Sequence, residues 1–475
     1  MFNNLHEECG VFGIFENKTT YVAQSAYLAL YALQHRGQES CGIAVNDDGV
    51  FRYHRGDGLV PDVFTPSHME HIGKGNMAIG HVRYSTTGGK NANNIQPLVI
   101  RHIKGNMALA HNGNLVNAPQ LRKEFELKGG IFHGTSDTEA IAYSIVSHRL
   151  TSKSTEEAVE KVMGTIKGAY SCVLMTATKL IAFRDPNGFR PLCLGKTDDG
   201  AWIVSSESCA LDSIGAGFVR DIMPGEIVVI SADGVNSITT HCKNKGNICV
   251  FEYIYFARPD SVIEGSSVQH ARMRAGAFLA KEHPVEADIV IGVPDSGLDA
   301  ALGYAYESGI PYGIGFIKNR YIGRSFIQPN QNQREDAVRI KLNAVKENIN
   351  GKRVIMIDDS SVRGTTCARI VKLLREAGAK EVHMRVSSPP FKYPCFFGTD
   401  VDSQENLIAC KFDSIKDIAR EIGVDSLGYL SVDAVHQLAE NSKCSFCDGC
   451  FTGKYPIEVP KEQFKDKFEE KLNHF

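Results

Sequence analysis

Two kinds of side chain in this sequence stand in patterns that could do chemistry. The first is a pair of carboxylates in VIMIDDSSVRGTT, Val354–Thr366, where an apolar run ends in Asp358 and Asp359 and a Gly/Ser/Thr loop follows. Backbone N–H groups of such a loop, with the helix N-terminus behind it, can hold a phosphate dianion. Thr365 and Thr366 add hydroxyl donors, and the two aspartates can accept from vicinal sugar hydroxyls. Ligands of open α/β sheets bind at that end of the strand. An Asp-rich turn capping a helix is the plain alternative, and the length of the string weighs against it. The second kind is sulfur. Cys9 opens the apolar run CGVFGIF, and Cys447 and Cys450 form a Cys-x-x-Cys pair with Cys444 three residues earlier. A thiolate can be a nucleophile, while Cys-x-x-Cys suits zinc, redox or iron–sulfur chemistry. Alone, Cys9 reads as a buried core thiol.

These groups need elements to hold them. Cys9–Phe15, Met77–Val82 and Met107–His111 read as buried strands bounded by Gly and Asn. Ala23–Leu33 has helical apolar spacing, and Ser136–His148 opens with Ser-Asp-Thr-Glu, which suits a helix N-terminus. The second half changes character. Ala287–Val293 and Arg353–Ile357 read as continuous apolar strands and Glu381–Val386 as a third strand, with helices expected over 297–307 and 366–376. Strands buried on both faces and alternating with helices indicate a parallel α/β sheet. The halves meet in a polar stretch, Asn236–Gly246, and the last 20 residues are charged and suit a surface helix.

Composition sets the bounds. The 475 residues suit two or three domains. A net charge of −3 argues against an electrostatic nucleic-acid binder. No apolar run reaches membrane-spanning length, and Met1–Glu8 lacks the basic start and apolar core of a secretory signal, so a cytoplasmic enzyme is expected. Thirteen cysteines, an odd number, argue against a full disulfide framework. Cys172, Cys193 and Cys209 lie in apolar stretches as inert buried thiols.

Val354–Thr366 closely resembles the 5-phosphoribosyl 1-pyrophosphate (PRPP) signature of type I phosphoribosyltransferases. The resemblance implies that Asp358 and Asp359 hold the ribose and that Ser360, Ser361, Val362, Arg363, Gly364, Thr365 and Thr366 hold the 5-phosphate. Ser361 departs from the aliphatic residue more usual there, and its side chain is not expected to meet ligand. GVPDSG, Gly292–Gly297, looks like the pyrophosphate loop of that fold, which makes Ser296, Asp358 and Asp359 the implied Mg²⁺ ligands. Lys318–Ser325 through Arg339–Lys341 is basic and Gly-containing. It reads as a surface loop or, in that fold, as a flap closing over pyrophosphate with Lys318, Arg320, Arg339 and Lys341.

In the first half Cys9 is followed, in order, by HRGQE (35–39), HVRYSTTG (81–88), HNGN (111–114) and GTSDTE (134–139). Together these resemble the class II glutamine amidotransferase domain, an N-terminal-nucleophile hydrolase with four αββα layers. The resemblance implies Cys9 as nucleophile, its α-amine as base after removal of a Met1–Glu8 propeptide, and Asn112 and Gly113 as oxyanion donors. Arg83 would clamp the glutamine α-carboxylate and Asp137 its α-ammonium, with His35, His81 and His111 structural.

Cys249, Cys395, Cys447 and Cys450, in ICVFEYIYFARPD, PCFFG and CDGCFTGKYP, resemble the subgroup of PRPP amidotransferases that carries a structural [4Fe–4S] cluster. A Cys₄ zinc site and a ligand role for Cys444 stay open. The implied domains are a propeptide (1–8), a glutaminase (9–242) and a phosphoribosyltransferase with a cluster-anchored tail (243–475). The implied reaction turns glutamine, PRPP and water into 5-phosphoribosylamine, glutamate and pyrophosphate, with ammonia passing along an enclosed path near Tyr255. Closure on PRPP should raise glutamine affinity. Purine-nucleotide feedback and a homotetramer are implied by resemblance alone. Other class II amidotransferases lack the Asp-Asp-Ser string. A PRPP-binding regulator would need no glutaminase set, and a catalytically dead paralogue would not keep every catalytic residue.

Overall fold

The computed structural model describes residues 9–84, 92–243, 245–319, 342–399, 401 and 403–460. The expected propeptide, the flap residues Arg320, Arg339 and Lys341, and the tail after 460 lie outside these.

Two sheets stack face to face in the first half. One has the order β11 (Ala216–Asp221), β9 (Cys193–Thr197), β10 (Trp202–Ser205), β1 (Gly10–Thr20), β4 (Gly75–Arg83), β2 (Ser40–Asp47), β3 (Val50–Asp57). The other runs β13 (Gly234–Ile238), β12 (Ile227–Ser231), β8 (Leu180–Arg184), β7 (Gly168–Thr176), β6 (Gly105–Leu115), β5 (Leu98–His102). Side chains alternate along a strand. In β1, Val11 and Phe15 face the second sheet and Phe12 and Ile14 face helix α1 (Val22–Ala32). In β6, Ala108 and Ala110 face the first sheet, while Met107, Leu109 and Leu115 face α2 (Asp137–Thr151) and α3 (Thr155–Met163). Helix, sheet, sheet, helix is the four-layer arrangement expected. The sheets meet closely: a Cβ on Gly13 would lie 2.8 Å from Val173.

The second half begins with β14 (Asn247–Cys249), then a turn over Glu252–Phe256 and the short hairpin β15 (Val262–Ile263) and β16 (Ser266–Ser267). Its parallel sheet has the order β17 (Ile289–Gly292), β20 (Arg353–Asp358), β21 (Glu381–Val386), β22 (Ser426–Tyr429). Helices α4 (Val268–Glu282), α5 (Leu298–Ser308) and α6 (Thr365–Glu376) pack around it. β18 (Phe316–Lys318) pairs with β19 (Leu342–Ala344), so the ends of the expected flap are joined in register. β23 (Ser445–Cys447) pairs with β14, tying the C-terminal region to the start of this half. Among the described residues no helix is long and apolar enough to cross a membrane.

Candidate active sites and a cysteine-lined cavity

β1 and β4 pair Gly10 with Val82, so continuing the register sets Cys9 opposite Arg83. Alternation turns both toward the space between the sheets. The Cys9 thiol donates to the Tyr84 carbonyl at 3.5 Å, and the Cys9 carbonyl accepts from Arg36 Nε at 3.1 Å. Across the gap, Asn112 shares the inward face of Ala108 and Ala110. Its amide is fully buried, and neither Nδ2 nor Oδ1 has a hydrogen-bond partner among the described residues. Buried polar groups are nearly always paired, so an orphaned amide here points to a ligand group. Gly113 has φ +141, and a Cβ there would lie 2.2 Å from the Ala169 carbonyl. No other residue fits that place.

Ser136 caps α2 by accepting from Thr138 N, and Asp137 follows on the first turn. Asp137 Oδ2 accepts from Leu115 N at 2.9 Å, and Oδ1 lies 3.5 Å from His111 Nδ1. Burial raises the Asp137 carboxyl pKa, but His111 and these N–H groups outweigh it and hold the group below its ordinary value. His81 Nε2 meets the His111 carbonyl at 3.0 Å, and burial pushes the His81 pKa down to about 3. A neutral His81 thus bridges the two sheets. His35 Nε2 lies at hydrogen-bond distance, 2.8 Å, from Glu207 Oε1.

In the second half Asp358 ends β20, and Gly364, at φ +79, turns the loop into α6. A Cβ on Gly364 would strike Ile408 at 2.2 Å. Asp358 and Asp359 are both buried. Burial raises both carboxyl groups, and the Asp359 charge raises Asp358 further. Ser296 and Ser360 hydroxyls donate to Asp359. Ser361 turns inward, where the Cys367 thiol reaches its hydroxyl at 3.5 Å. That leaves its backbone, not its side chain, for a ligand. The Gly292–Gly297 loop folds tightly over the same strand end, since a Cβ on Gly297 would lie 2.5 Å from the Ile357 carbonyl. Lys318 joins the group through an ion pair with Asp295. Carboxylates, hydroxyls, loop N–H groups and one lysine therefore share the carboxyl edge of the parallel sheet.

Cys249, Cys395, Cys447 and Cys450 line one small, largely enclosed cavity walled by Phe189, Phe251, Phe391, Phe397 and Tyr455. Burial pushes the Cys447 and Cys450 thiols well above their ordinary value, and the neighbouring sulfurs add to it. Cys444 is buried outside that cavity, beside Gly246. Among the described residues no group of three His, Cys, Asp or Glu side chains converges closely enough to hold a single metal ion. Tyr255 is half-buried in the Glu252–Phe256 turn, its carbonyl accepting from Arg272 at 2.9 Å.

The sequence reading passed over Arg36, Glu207, Glu252 and Arg272, all buried charges. Glu252, alone in the apolar run ICVFEYIYF, was the available signal. A carboxylate in such a run is nearly always paired when buried.

A glutamine amidotransferase domain model matches residues 81–213, and a phosphoribosyl transferase domain model matches 267–388. The amidophosphoribosyltransferase of Bacillus subtilis (strain 168) is 49% identical over 461 residues, covering 96% of this chain and 95% of the relative. A solved structure of glutamine PRPP amidotransferase from B. subtilis, complexed with ADP and GMP, superposes with a TM-score of 0.88 at 47% identity, covering 96% of this chain and 99% of that one. A structure described as the allosteric regulatory enzyme of purine biosynthesis gives a TM-score of 0.89 at 48% identity, covering 95% and 97%.

Proposed function

This chain belongs to the amidophosphoribosyltransferase family, and from that premise we propose how its residues share the reaction. The reaction is glutamine-dependent amino transfer to PRPP, the first step of purine biosynthesis. Its two chemistries are assigned to 9–242 and 243–475, after removal of 1–8. Cys9 Sγ attacks the glutamine amide carbon. Its own α-amine, freed by processing after Glu8, takes the thiol proton and passes one to the departing ammonia. Water then cleaves the thioester to give glutamate. Asn112 Nδ2 and the Gly113 N–H receive the oxyanion, Arg83 the α-carboxylate and Asp137 the α-ammonium. The orphaned Asn112 amide on the face shared with Cys9 is the observation that carries this half.

Ammonia passes Tyr255 and attacks the ribose anomeric carbon, and pyrophosphate leaves. Asp358 and Asp359 bind the ribose hydroxyls. Ser360–Thr366 hold the 5-phosphate, chiefly through backbone N–H groups, and Lys318 with Arg320, Arg339 and Lys341 neutralises the pyrophosphate. Two buried carboxylates that repel each other beside Ser296 suit a hard cation. Ser296, Asp358 and Asp359 would hold Mg²⁺, which supplies charge neutralisation at the leaving group. Cys249, Cys395, Cys447 and Cys450 would hold a structural [4Fe–4S] cluster. Four thiols lining one largely enclosed cavity support a site of this kind. A Cys₄ zinc site is the alternative, and a metal assay separates them. Purine-nucleotide inhibition, a homotetramer and a cytoplasmic location follow from the family resemblance.

The test is pyrophosphate release from PRPP with glutamine or with ammonia as nitrogen source. Cys9→Ala should lose the glutamine-dependent rate and keep the ammonia-dependent one. Retention of both would remove Cys9 as nucleophile.

A further inference from the structure

Arg36 is fully buried and spends its fork on three groups from distant parts of the chain. Its Nε donates to the Cys9 carbonyl at 3.1 Å. Nη1 donates to Glu207 at 2.6 Å and to Glu252 at 2.9 Å, and Nη2 donates to the other oxygen of Glu252 at 2.8 Å. Glu207 and Glu252 are themselves buried. Glu252 lies in the second half, and Arg190 Nη1 approaches it at 3.4 Å. Glu207 lies in the first half, yet accepts from the Arg258 N–H at 2.9 Å and the Ser261 hydroxyl at 2.6 Å, both in the second. Burial opposes the Arg36 charge, but Glu252 and Glu207 outweigh it and keep the guanidinium charged.

The Nε–H of a buried guanidinium needs an acceptor, and here that acceptor is the carbonyl of Cys9. Arg36 fixes the carbonyl one bond from the Cα that carries the thiol. A planar, bidentate fork allows little freedom of orientation, unlike a lysine. This hydrogen bond and that from the thiol to Tyr84 both help to hold Cys9.

We propose that Arg36 is a positioning residue for the nucleophile and that Glu252, reaching across from the PRPP half, sets where Arg36 stands. The proposal rests on Cys9 being the nucleophile. Glu252 also opens the turn that carries Tyr255, which Arg272 closes with hydrogen bonds to the Tyr253, Tyr255 and Ala257 carbonyls. Displacement of that turn would therefore be felt at Cys9. A shift of about 1 Å at a reacting group can cost up to about 100-fold in rate.

The experiment measures pyrophosphate release in the processed full-length enzyme, with glutamine or with ammonia. Glu252→Gln keeps the shape and one acceptor but removes the charge. It should lower kcat with glutamine by about 10- to 100-fold, leave the KM for glutamine within about twofold, and leave the ammonia rate unchanged. Arg36→Lys, which keeps the charge but not the fork, should do the same. The double variant should be no worse than the poorer single, because the two act as one unit. An unaltered kcat in Glu252→Gln, an equal fall with both nitrogen sources, or losses that multiply in the double variant would overturn the proposal. If Glu252→Gln does not fold, Arg36→Lys decides it alone, by a loss in kcat or by none. Cys9→Ala runs in parallel. Survival of its glutamine-dependent rate overturns the nucleophile assignment and this proposal with it, whereas an unaltered Glu252→Gln overturns this proposal only.

Discussion

A buried amide with no hydrogen-bond partner weakens the folded state, and Asn112 is such a group. The penalty is about 1–3 kcal/mol. Asn112→Ala removes it and leaves only a small gap beside Ala110, so the melting temperature should stay level or rise. A structural asparagine would instead lose stability on truncation. The same variant should lose about 10²–10³ in kcat with glutamine, the usual loss for one oxyanion donor, and keep its rate with ammonia. Melting curves and the two rates on one preparation check both. At this scale the sequence was informative where chemistry dictates neighbours along the chain. Asn112 and Gly113 stand together because the strand must offer a side-chain donor and then a backbone with φ +141, which only glycine tolerates beside the Ala169 carbonyl. Arg36 and Glu252, 216 residues apart, gave no such local mark of their pairing.

At the scale of elements, α4 and the helix that follows the Gly292–Gly297 loop, α5, meet at two glycines. A Cβ on Gly303 of α5 would lie 1.8 Å from the Met273 carbonyl, and one on Gly276 of α4 equally close to the Ala300 carbonyl. Backbone cannot give way as a side-chain tip can. Gly303→Ala should therefore cost about 1–3 kcal/mol, the usual range for overpacking, seen as a lower melting temperature. Gly297, the end of the loop proposed to meet pyrophosphate, caps α5, so pushing α5 off α4 should also raise the KM for PRPP by about threefold or more with either nitrogen source, a shift of roughly 0.6 kcal/mol or more in binding. A melting shift with unaltered PRPP kinetics would mean that the loop is held independently of its helix. The strands of this half were legible because they are buried on both faces and so read as unbroken apolar runs, as in Arg353–Ile357. Their order was not. Nor was the central place of β1, between β10 and β4, because register is set by partners far away in sequence.

Across the whole molecule, the seam between halves is polar, buried and specific. Besides Arg36 and Glu252, Arg184 pairs with Glu264 at 2.6 Å, Asn114 donates to the Phe396 carbonyl at 2.8 Å, and Arg190 donates to the Phe397 carbonyl at 2.8 Å. The last two contacts end on the loop that carries Cys395, and Phe189 from the first half walls the cysteine cavity and stacks on Phe397 at 4.2 Å. Asn114 lies on the strand of Asn112 and Gly113, so its hydrogen bond to Phe396 ties that strand to the loop of Cys395. Resemblance of the segments ICVFEYIYFARPD, PCFFG and CDGCFTGKYP picked out the four cysteines, but not that their cavity lies on the seam, because its first-half wall, Phe189, is far from them in sequence. Protein purified without oxygen should begin at Cys9 by intact mass and carry about four irons and four sulfides per chain. Cys450→Ser should lose that iron, melt at a lower temperature, and lose more of its glutamine-dependent than of its ammonia-dependent rate, because the disturbance reaches the strand of Asn112 and Gly113 through Phe396. One zinc per chain in place of iron would replace the cluster by a Cys₄ site and leave the transferase reading intact. Equal loss of both rates in Cys450→Ser would break the link argued from Asn114.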